Sequence, residues 1–372
     1  LFLLTVICGL LMADRGENEF PVFACSEALS GESSSTGLLL QQNMWEVVPL
    51  LGYGIVEQQG TQNPEEDETT CRTLTTEDLI SEELLLPQPE ETQQTALIPE
   101  SVEATAGTAL SNFRPAVQQV QIDRTQLADY ETLVRNFYAI DANTMAGSDQ
   151  LSVEKLLGMD MTLPQEGDGP QILIYHTHSQ EAFADSVPGD VNTGIVGVGE
   201  YLTQVLTEQY GYRVLHHTGQ YDVETRDNAY SRALPEVEQL LAKNPSIQVV
   251  IDLHRDEVAQ DTRLVTELQG RPTAKFMFFN GLSRTRKTGD IDYLRNENQE
   301  ANLAFSFQMQ LKAAEYYPGL TRRIYLKGYR YNMHLCPRTL LVELGAQNNT
   351  YEEAINACDP LAHILDMVLG GE

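Results

Sequence analysis

The sequence predicts an α/β fold in which a mainly parallel sheet is flanked by helices on both faces. Continuous apolar runs, such as 172–175 and 247–253, are typical of strands that are buried on both sides. Between these runs lie amphipathic stretches, such as 196–210, whose apolar residues recur at helical spacing. Because strand and helix patterns alternate, parallel strands joined by helical crossovers are the expected arrangement.

The alternation continues from residue 123 to the end of the chain. The predicted strands lie at 172–175, 212–216, 247–253, 275–279, 323–326 and 338–343. The predicted helices lie at 123–139, 151–157, 196–210, 234–243, 297–317 and 350–369. Gly211 is a C-cap signal for the third of these helices, and Thr350 with Glu353 forms a capping box at the start of the last. Together these elements define a folded domain, residues 118–372.

The net charge of −30 is extreme and is concentrated before this domain. In residues 13–113 the acidic residues far outnumber the two arginines, Arg15 and Arg72. The segment also lacks sustained apolar periodicity, so we expect residues 13–117 to be a disordered acidic linker of low complexity. A charge of this sign repels phosphates, which argues against nucleic acid as a partner.

The first twelve residues, 1–12, are mostly apolar. They are too few to span a bilayer, so we interpret them as the end of a truncated signal or membrane-anchor segment. The alternative is a full-length protein with an apolar N-terminus. The scarcity of Lys and Arg after an anchor would suit the extracytoplasmic side of the membrane.

Three predicted strands lead into residues that a metallohydrolase requires. His178 and Glu181 follow the strand at 172–175 with His-x-x-Glu spacing, and His254 follows the strand at 247–253. Two His and one Glu form a ligand set for Zn²⁺ that leaves a fourth position for water. Since neighbouring strands lie about 4.8 Å apart, such residues can converge on one ion. The alternative is a pair of surface histidines on a loop.

Glu343 is the candidate general base. It follows Leu-Leu-Val in a strand that should be buried, and desolvating a carboxylate there is costly unless a partner or metal offsets it. Beside a zinc-bound water it could take a proton and pass it to the leaving amine. The alternative role is an ion pair with Arg330 or Arg338.

Several other residues have weaker claims to the site. His176 either competes with His178 as a ligand or orients the loop from outside the set of metal ligands. Asp252 is expected to face away from His254. Asp185 and Asp190 are alternative carboxylate ligands. The candidate donors to substrate or to the oxyanion are Arg255, Asn332 and His334.

Six motifs occur in an order that resembles the stage II sporulation protein P family. They lie at 175–181, 252–256, 317–320, 330–335, 341–345 and 349–354. Each motif alone is weak, but their joint occurrence over residues 122–369 is specific.

The resemblance implies a zinc-dependent N-acetylmuramoyl-L-alanine amidase with a fold related to zinc carboxypeptidases. It maps His178, Glu181 and His254 onto the ligands and Glu343 onto the base, although the amidase pattern usually places its Glu ligand further along the chain than three residues after the first His. It also implies peptide cross-link endopeptidase activity on peptidoglycan. The implied location is membrane-anchored and extracytoplasmic, at the septum of a sporulating bacterium, and the implied partners are stage II sporulation proteins D and M. The alternatives are a metallo-carboxypeptidase or endopeptidase on wall peptides and a non-enzymatic wall-binding scaffold.

Overall fold

The computed structural model of the chain describes residues 110–164 and 167–371, together with the backbone of Leu85–Leu86. The expected anchor, 1–12, lies outside the described residues. The expected linker also lies outside them, apart from Leu85–Leu86 and residues 110–117. Within the described part, no helix is both long enough and apolar enough to cross a membrane.

A seven-stranded sheet forms the centre of the described domain. The strands in chain order are β1 (Leu85–Leu86), β2 (Gln121–Ile122), β3 (Tyr138–Ile140), β4 (Ile172–Tyr175), β5 (Val214–His216), β6 (Val249–Asp256), β7 (Val265–Leu268), β8 (Arg271–Ala274), β9 (Phe276–Gly281), β10 (Arg284–Thr285), β11 (Gly289–Asp290), β12 (Ile324–Lys327) and β13 (Arg338–Ala346). The sheet order is β3-β12-β9-β13-β6-β4-β5. Neighbours run parallel except β9 and β13, so the mainly parallel sheet is confirmed.

Helices cover both faces of this sheet. They are α1 (Tyr130–Phe137), α2 (Val153–Gly158), α3 (Ile195–Glu208), α4 (Ala229–Lys243), α5 (Gln299–Tyr316) and α6 (Tyr351–Gly370). Ile172 and Ile174 share one buried cluster with residues of α3, α5 and α6, whereas Leu173 and Tyr175 share another with residues of α4. This division follows from the two-residue side-chain period of a strand.

The last helix begins as its sequence predicts. Thr350 Oγ1 accepts a hydrogen bond from the Glu353 backbone N–H at 3.3 Å, and the Glu353 carboxylate accepts one from the Thr350 backbone N–H at 3.1 Å. This reciprocal pair satisfies two backbone donors that have no partner inside the helix. The predicted capping box is therefore confirmed.

The first predicted helix, 123–139, is wrong at both ends, since the helix spans only Tyr130–Phe137. Asp129 caps α1 by accepting a hydrogen bond from the Thr132 backbone N–H, and α1 ends at Phe137. Residues 138–140 then form β3, which pairs in parallel with β12 at the edge of the sheet. Tyr138 continues the helical spacing of apolar residues, so periodicity alone could not show the change to a strand.

Three short antiparallel pairs were not predicted, and β7 with β8 is the longest of them. Its two-residue turn consists of Gln269 and Gly270, both at positive φ (53° and 77°). Such a turn matches the twist of a hairpin, but Gln-Gly is a weaker signal for it than Asn-Gly.

Residues 110–120 pack against the C-terminal end of α5 and the middle of α6. Ser111 Oγ donates to the buried Asp359 carboxylate at 2.6 Å, and the Phe113 ring lies 6.3 Å from that of Tyr317. Further along, the backbone N–H groups of residues 119 and 120 donate to the carbonyl of Glu315. The end of the acidic segment thus contributes contacts to the folded domain.

Candidate active site

The candidate site lies where β13, β6 and β4 end side by side. Glu343 of β13 is paired in register with His254 of β6, and Asp252 of β6 is paired with Tyr175 of β4. His178 and Glu181 follow β4 within a short loop. His178, Glu181, His254 and Glu343 are each at most 5% exposed. Parallel pairing of the strands explains how residues far apart in sequence meet.

Glu181 is held as a carboxylate by positive charge and hydrogen bonds. Its Oε2 accepts from the Arg255 backbone N–H at 2.8 Å and lies 3.5 Å from His254 Nδ1, while its Oε1 accepts from Arg226 Nη2 at 3.1 Å. Burial alone would raise the pKa of Glu181, but His254 and the two arginines outweigh it and hold the pKa well below its usual range. Glu181 is therefore negatively charged.

His254 lies between two carboxylates. Its Nε2 is 2.8 Å from Asp252 Oδ1, and its Nδ1 faces Glu181. Burial lowers the pKa of His254, but Asp252 and Glu181 together raise it well above the usual value. The expectation that Asp252 faces away from His254 is wrong, because residues two apart in a strand point to the same side of the sheet.

His178 also has a carboxylate beside one of its ring nitrogens. Its Nδ1 is 3.7 Å from Asp222 Oδ2, and burial lowers the pKa of His178. The other carboxylate oxygen, Asp222 Oδ1, accepts hydrogen bonds from the Ser179 backbone N–H at 3.0 Å and from Ser179 Oγ at 2.8 Å. Asp222 thereby fixes the loop that carries His178.

The donor set fits a zinc ion in its chemistry. Two histidines and a carboxylate are buried together, and each imidazole has an outer carboxylate on one nitrogen, as metal-ligating histidines typically do. The 3.5 Å between His254 Nδ1 and Glu181 Oε2 is close to the roughly 3.3 Å expected for two ligands about 2.0 Å from one tetrahedral ion. Among residues 110–164 and 167–371, however, no three His, Cys, Asp or Glu side chains are already arranged as a metal-binding group.

Tyr230, at the start of α4, covers the two histidines. Its ring lies edge-on to His178 with centroids 5.7 Å apart, stacks on His254 at 6.3 Å, and meets Tyr331 edge-on at 5.3 Å. Burial raises the pKa of Tyr230 well above its usual value, and the charges of Asp252 and Glu343 add to this effect. Tyr230 therefore excludes water from one side of the site.

His176 is engaged away from this cluster. Its Nδ1 donates to the Leu253 carbonyl at 2.7 Å, and its Nε2 lies 2.9 Å from His216 Nε2. His216 Nδ1 is in turn 2.9 Å from Glu200 Oε2. Burial, with His216 as the next cause, lowers the pKa of His176 to about 3. These contacts favour a role in holding the strand ends over a role as a metal ligand.

The weaker carboxylate candidates act as helix caps. Asp185 Oδ1 accepts from the Tyr351 backbone N–H at the start of α6, at 2.7 Å. Asp190 caps a short 3-10 helix, Val191–Thr193, where its Oδ1 accepts from the Asn192 backbone N–H at 3.1 Å. Each carboxylate thus stabilises a helix start, which explains its position without a metal.

The three candidate donors have different surroundings. Arg255 Nε donates to the Ala182 carbonyl at 3.0 Å, which secures the loop after β4. Asn332 is buried in a left-handed conformation (φ 52°), and its Nδ2 donates to the Tyr230 carbonyl at 2.9 Å. His334 is half-buried on the same loop, and burial lowers its pKa to about 4.

Sequence reasoning missed Asp222, Arg226 and Tyr230. Asp222 and Arg226 lie in the segment between β5 and α4, which has neither strand nor helix periodicity up to residue 228. Tyr230 lies in the first turn of α4, before the helix that the sequence predicts at 234–243. The acidic and basic residues there resemble an ordinary polar loop. Only the path of the loop over the end of β4 brings them to the site.

Comparison with known proteins places the chain in a family. A family model described as Stage II sporulation protein P matches residues 68–366. The curated Stage II sporulation protein P of Bacillus subtilis (strain 168) is 26% identical over 219 residues, which cover 53% of this chain and 51% of that protein. The chain therefore spans about half the length of this curated relative.

Two solved structures are distantly similar. One is the N-acetylmuramyl-L-alanine amidase Ami1 from Mycobacterium smegmatis, with 13% identity over 57% of this chain and 100% of that chain, and a TM-score of 0.35. The other is the CwlD amidase from Clostridioides difficile in complex with the GerS lipoprotein, with 13% identity over 54% of this chain and 100% of that chain, and a TM-score of 0.34. Because the family model matches most of the sequence, as its motifs predicted, this chain belongs to the stage II sporulation protein P family.

Proposed function

We propose that this protein is a zinc-dependent peptidoglycan hydrolase that cleaves the amide between N-acetylmuramic acid and L-alanine of the stem peptide. The observation that carries the proposal is the burial of two histidines and two glutamates at the adjoining ends of β4, β6 and β13. Family membership supports the same reaction, and the residues that the family model matches, 68–366, include these four.

His178, Glu181 and His254 would hold the metal. Zinc, when bound, would polarise the amide carbonyl and lower the pKa of a water to about 7. Asp222 lies beside His178 Nδ1 and Asp252 beside His254 Nε2, so the other nitrogen of each imidazole would be available to a metal. Arg255 and Arg226 keep Glu181 ionised, so that it is ready to act as a ligand.

Glu343 is the proposed general base. It is paired with His254 across the β6–β13 ladder, where neighbouring strands lie about 4.8 Å apart, so its side chain is on the same side of the sheet as the proposed ligand. In this role it would remove a proton from the attacking water and deliver it to the amine of L-alanine. Arg338, an alternative partner for Glu343, instead donates to the carbonyls of Met161 and Thr162.

The setting of the reaction is also a proposal. The apolar segment 1–12 and the acidic residues after it support a membrane-anchored protein on the extracytoplasmic side, and family membership supports action at the sporulation septum with stage II sporulation proteins D and M. Fractionation of sporulating cells tests the location: the protein should sediment with membranes and be accessible to protease from the extracytoplasmic side.

Digestion of purified sacculi tests the reaction itself. An amidase releases stem peptides with a free L-alanine amine and leaves free lactyl groups on the glycan. A carboxypeptidase or an endopeptidase leaves the lactyl amide intact, and a wall-binding scaffold releases nothing. Glu238→Gln is a matched control, because Glu238 is an exposed carboxylate on α4, away from the sheet end.

A further inference from the structure

Arg226 is a charged residue of the site whose hydrogen-bonding capacity is only partly used. It lies in the loop between β5 and α4, and its Nη2 donates to Glu181 Oε1 at 3.1 Å. Its side chain remains 35% exposed. The guanidinium therefore reaches the buried carboxylate from the solvent side.

A second N–H group of Arg226, on Nε, makes no hydrogen bond within the described residues. Arg226 Nε is buried and lacks a hydrogen-bond partner among them. A buried donor left without a partner costs free energy, and proteins usually satisfy such groups with a partner, water or ligand. This second observation indicates that Arg226 does more than hold Glu181.

Its neighbour Arg255 differs in this respect. The Arg255 side chain is occupied by backbone carbonyls, with Nε on Ala182 at 3.0 Å and Nη1 on Asp256 at 3.3 Å. Arg255 thus secures the loop, and Arg226 is the better placed of the two to meet a ligand that arrives from solvent.

A planar guanidinium binds carboxylates through two parallel hydrogen bonds and prefers them to neutral amides. We propose that Arg226 binds a free carboxylate of the peptide substrate next to the scissile amide. This inference rests on the proposed function, since it assigns the peptide portion of that substrate to the Arg226 side of the site. The ligand class is an acidic peptide, and the interaction determines specificity.

The test compares two probes that differ at one group. They are N-acetylmuramoyl-L-alanyl-D-glutamate and its D-isoglutamine counterpart, in which the α-carboxylate is a carboxamide. Isothermal titration calorimetry on the full chain, without added zinc, measures binding without hydrolysis. We expect the acid to bind about tenfold more tightly than the amide, as for the loss of one charge-assisted hydrogen bond.

Variants assign that preference to Arg226. Arg226→Gln should bind both probes equally, and Arg226→Lys should keep part of the preference because the charge remains without the fork. Arg232→Gln is the matched control: Arg232 braces the same loop through the carbonyls of Tyr221 and Thr225. It should retain the preference.

Three results would overturn the inference: equal binding of both probes by the unsubstituted chain, an unchanged preference in Arg226→Gln, or an equal loss in Arg232→Gln. The binding experiment and the digestion of sacculi can fail independently of each other. A chain that discriminates between the probes but does not cleave sacculi leaves the inference standing without the amidase, and an active chain that does not discriminate refutes the inference alone.

Discussion

Replacing Asp252 with Asn should weaken zinc binding more than it weakens the fold. Asp252 is buried beneath the site, where its carboxylate accepts from the Thr177 backbone N–H at 2.9 Å and from Thr177 Oγ1 at 2.6 Å. Its Oδ1 also lies 2.8 Å from His254 Nε2. The carboxylate therefore sets the orientation of His254 while it anchors the loop after β4.

The expected magnitudes follow from these contacts. Asn keeps the shape and can still accept from the backbone N–H, so the fold loses about one charge-assisted hydrogen bond, roughly 1.5–3 kcal/mol of unfolding free energy. Loss of the outer carboxylate of a metal-ligating histidine typically reduces metal affinity about 10–100-fold. We expect a loss of zinc affinity in that range for Asp252→Asn.

Competition with a chromophoric chelator measures the zinc affinity, and urea denaturation measures the unfolding free energy. Thr177→Val is the matched control, because it removes one hydrogen bond to the same carboxylate and leaves the contact with His254. It should lose stability while its zinc affinity stays near that of the unsubstituted chain. Unchanged zinc affinity in Asp252→Asn would refute the role of Asp252, and equal losses of affinity in both variants would assign the effect to packing.

Two further predictions concern stability. Arg322→Met should reduce the unfolding free energy by about 3–5 kcal/mol in urea denaturation, because it leaves Asp256 as a buried charge without its ion pair at 2.7 Å. The double variant Arg322→Met with Asp256→Asn should recover part of this loss. A loss below about 1 kcal/mol for Arg322→Met would contradict the reasoning. Burial lowers the pKa of His334 to about 4, below the roughly 6.5 of a histidine in the unfolded chain. The stabilisation that comes from keeping His334 neutral is therefore complete above about pH 6.5 and is lost as the pH falls towards 4. His334→Gln should therefore show a smaller loss of stability over this range than the unsubstituted chain, and identical pH profiles would count against the buried neutral histidine.

The parts of the site that sequence could predict are those carried by strands. Glu343 stood out because a carboxylate follows three apolar residues in a buried strand. Its pairing with His254 then follows from the neighbouring positions of β13 and β6. In such cases the two-residue period and the parallel order of the strands decide which side chains meet.

The parts that sequence could not predict depend on tertiary structure. Asp222 and Arg226 reach the site through the path of an irregular loop, for which no local periodicity exists. The strand at 138–140 forms because an edge of the sheet is available beside β12, although the apolar spacing continued that of a helix. The expectation for Asp252 failed for a different reason: residues two apart in a strand face the same side of the sheet, so Asp252 and His254 point together.

Zinc content and hydrolysis, measured together on Glu343→Gln and His254→Ala, test most directly whether these four residues form one metal centre. We predict that Glu343→Gln retains zinc and no longer releases peptides from sacculi, whereas His254→Ala loses both. Retained hydrolysis in Glu343→Gln, or full zinc occupancy in His254→Ala, would contradict the account.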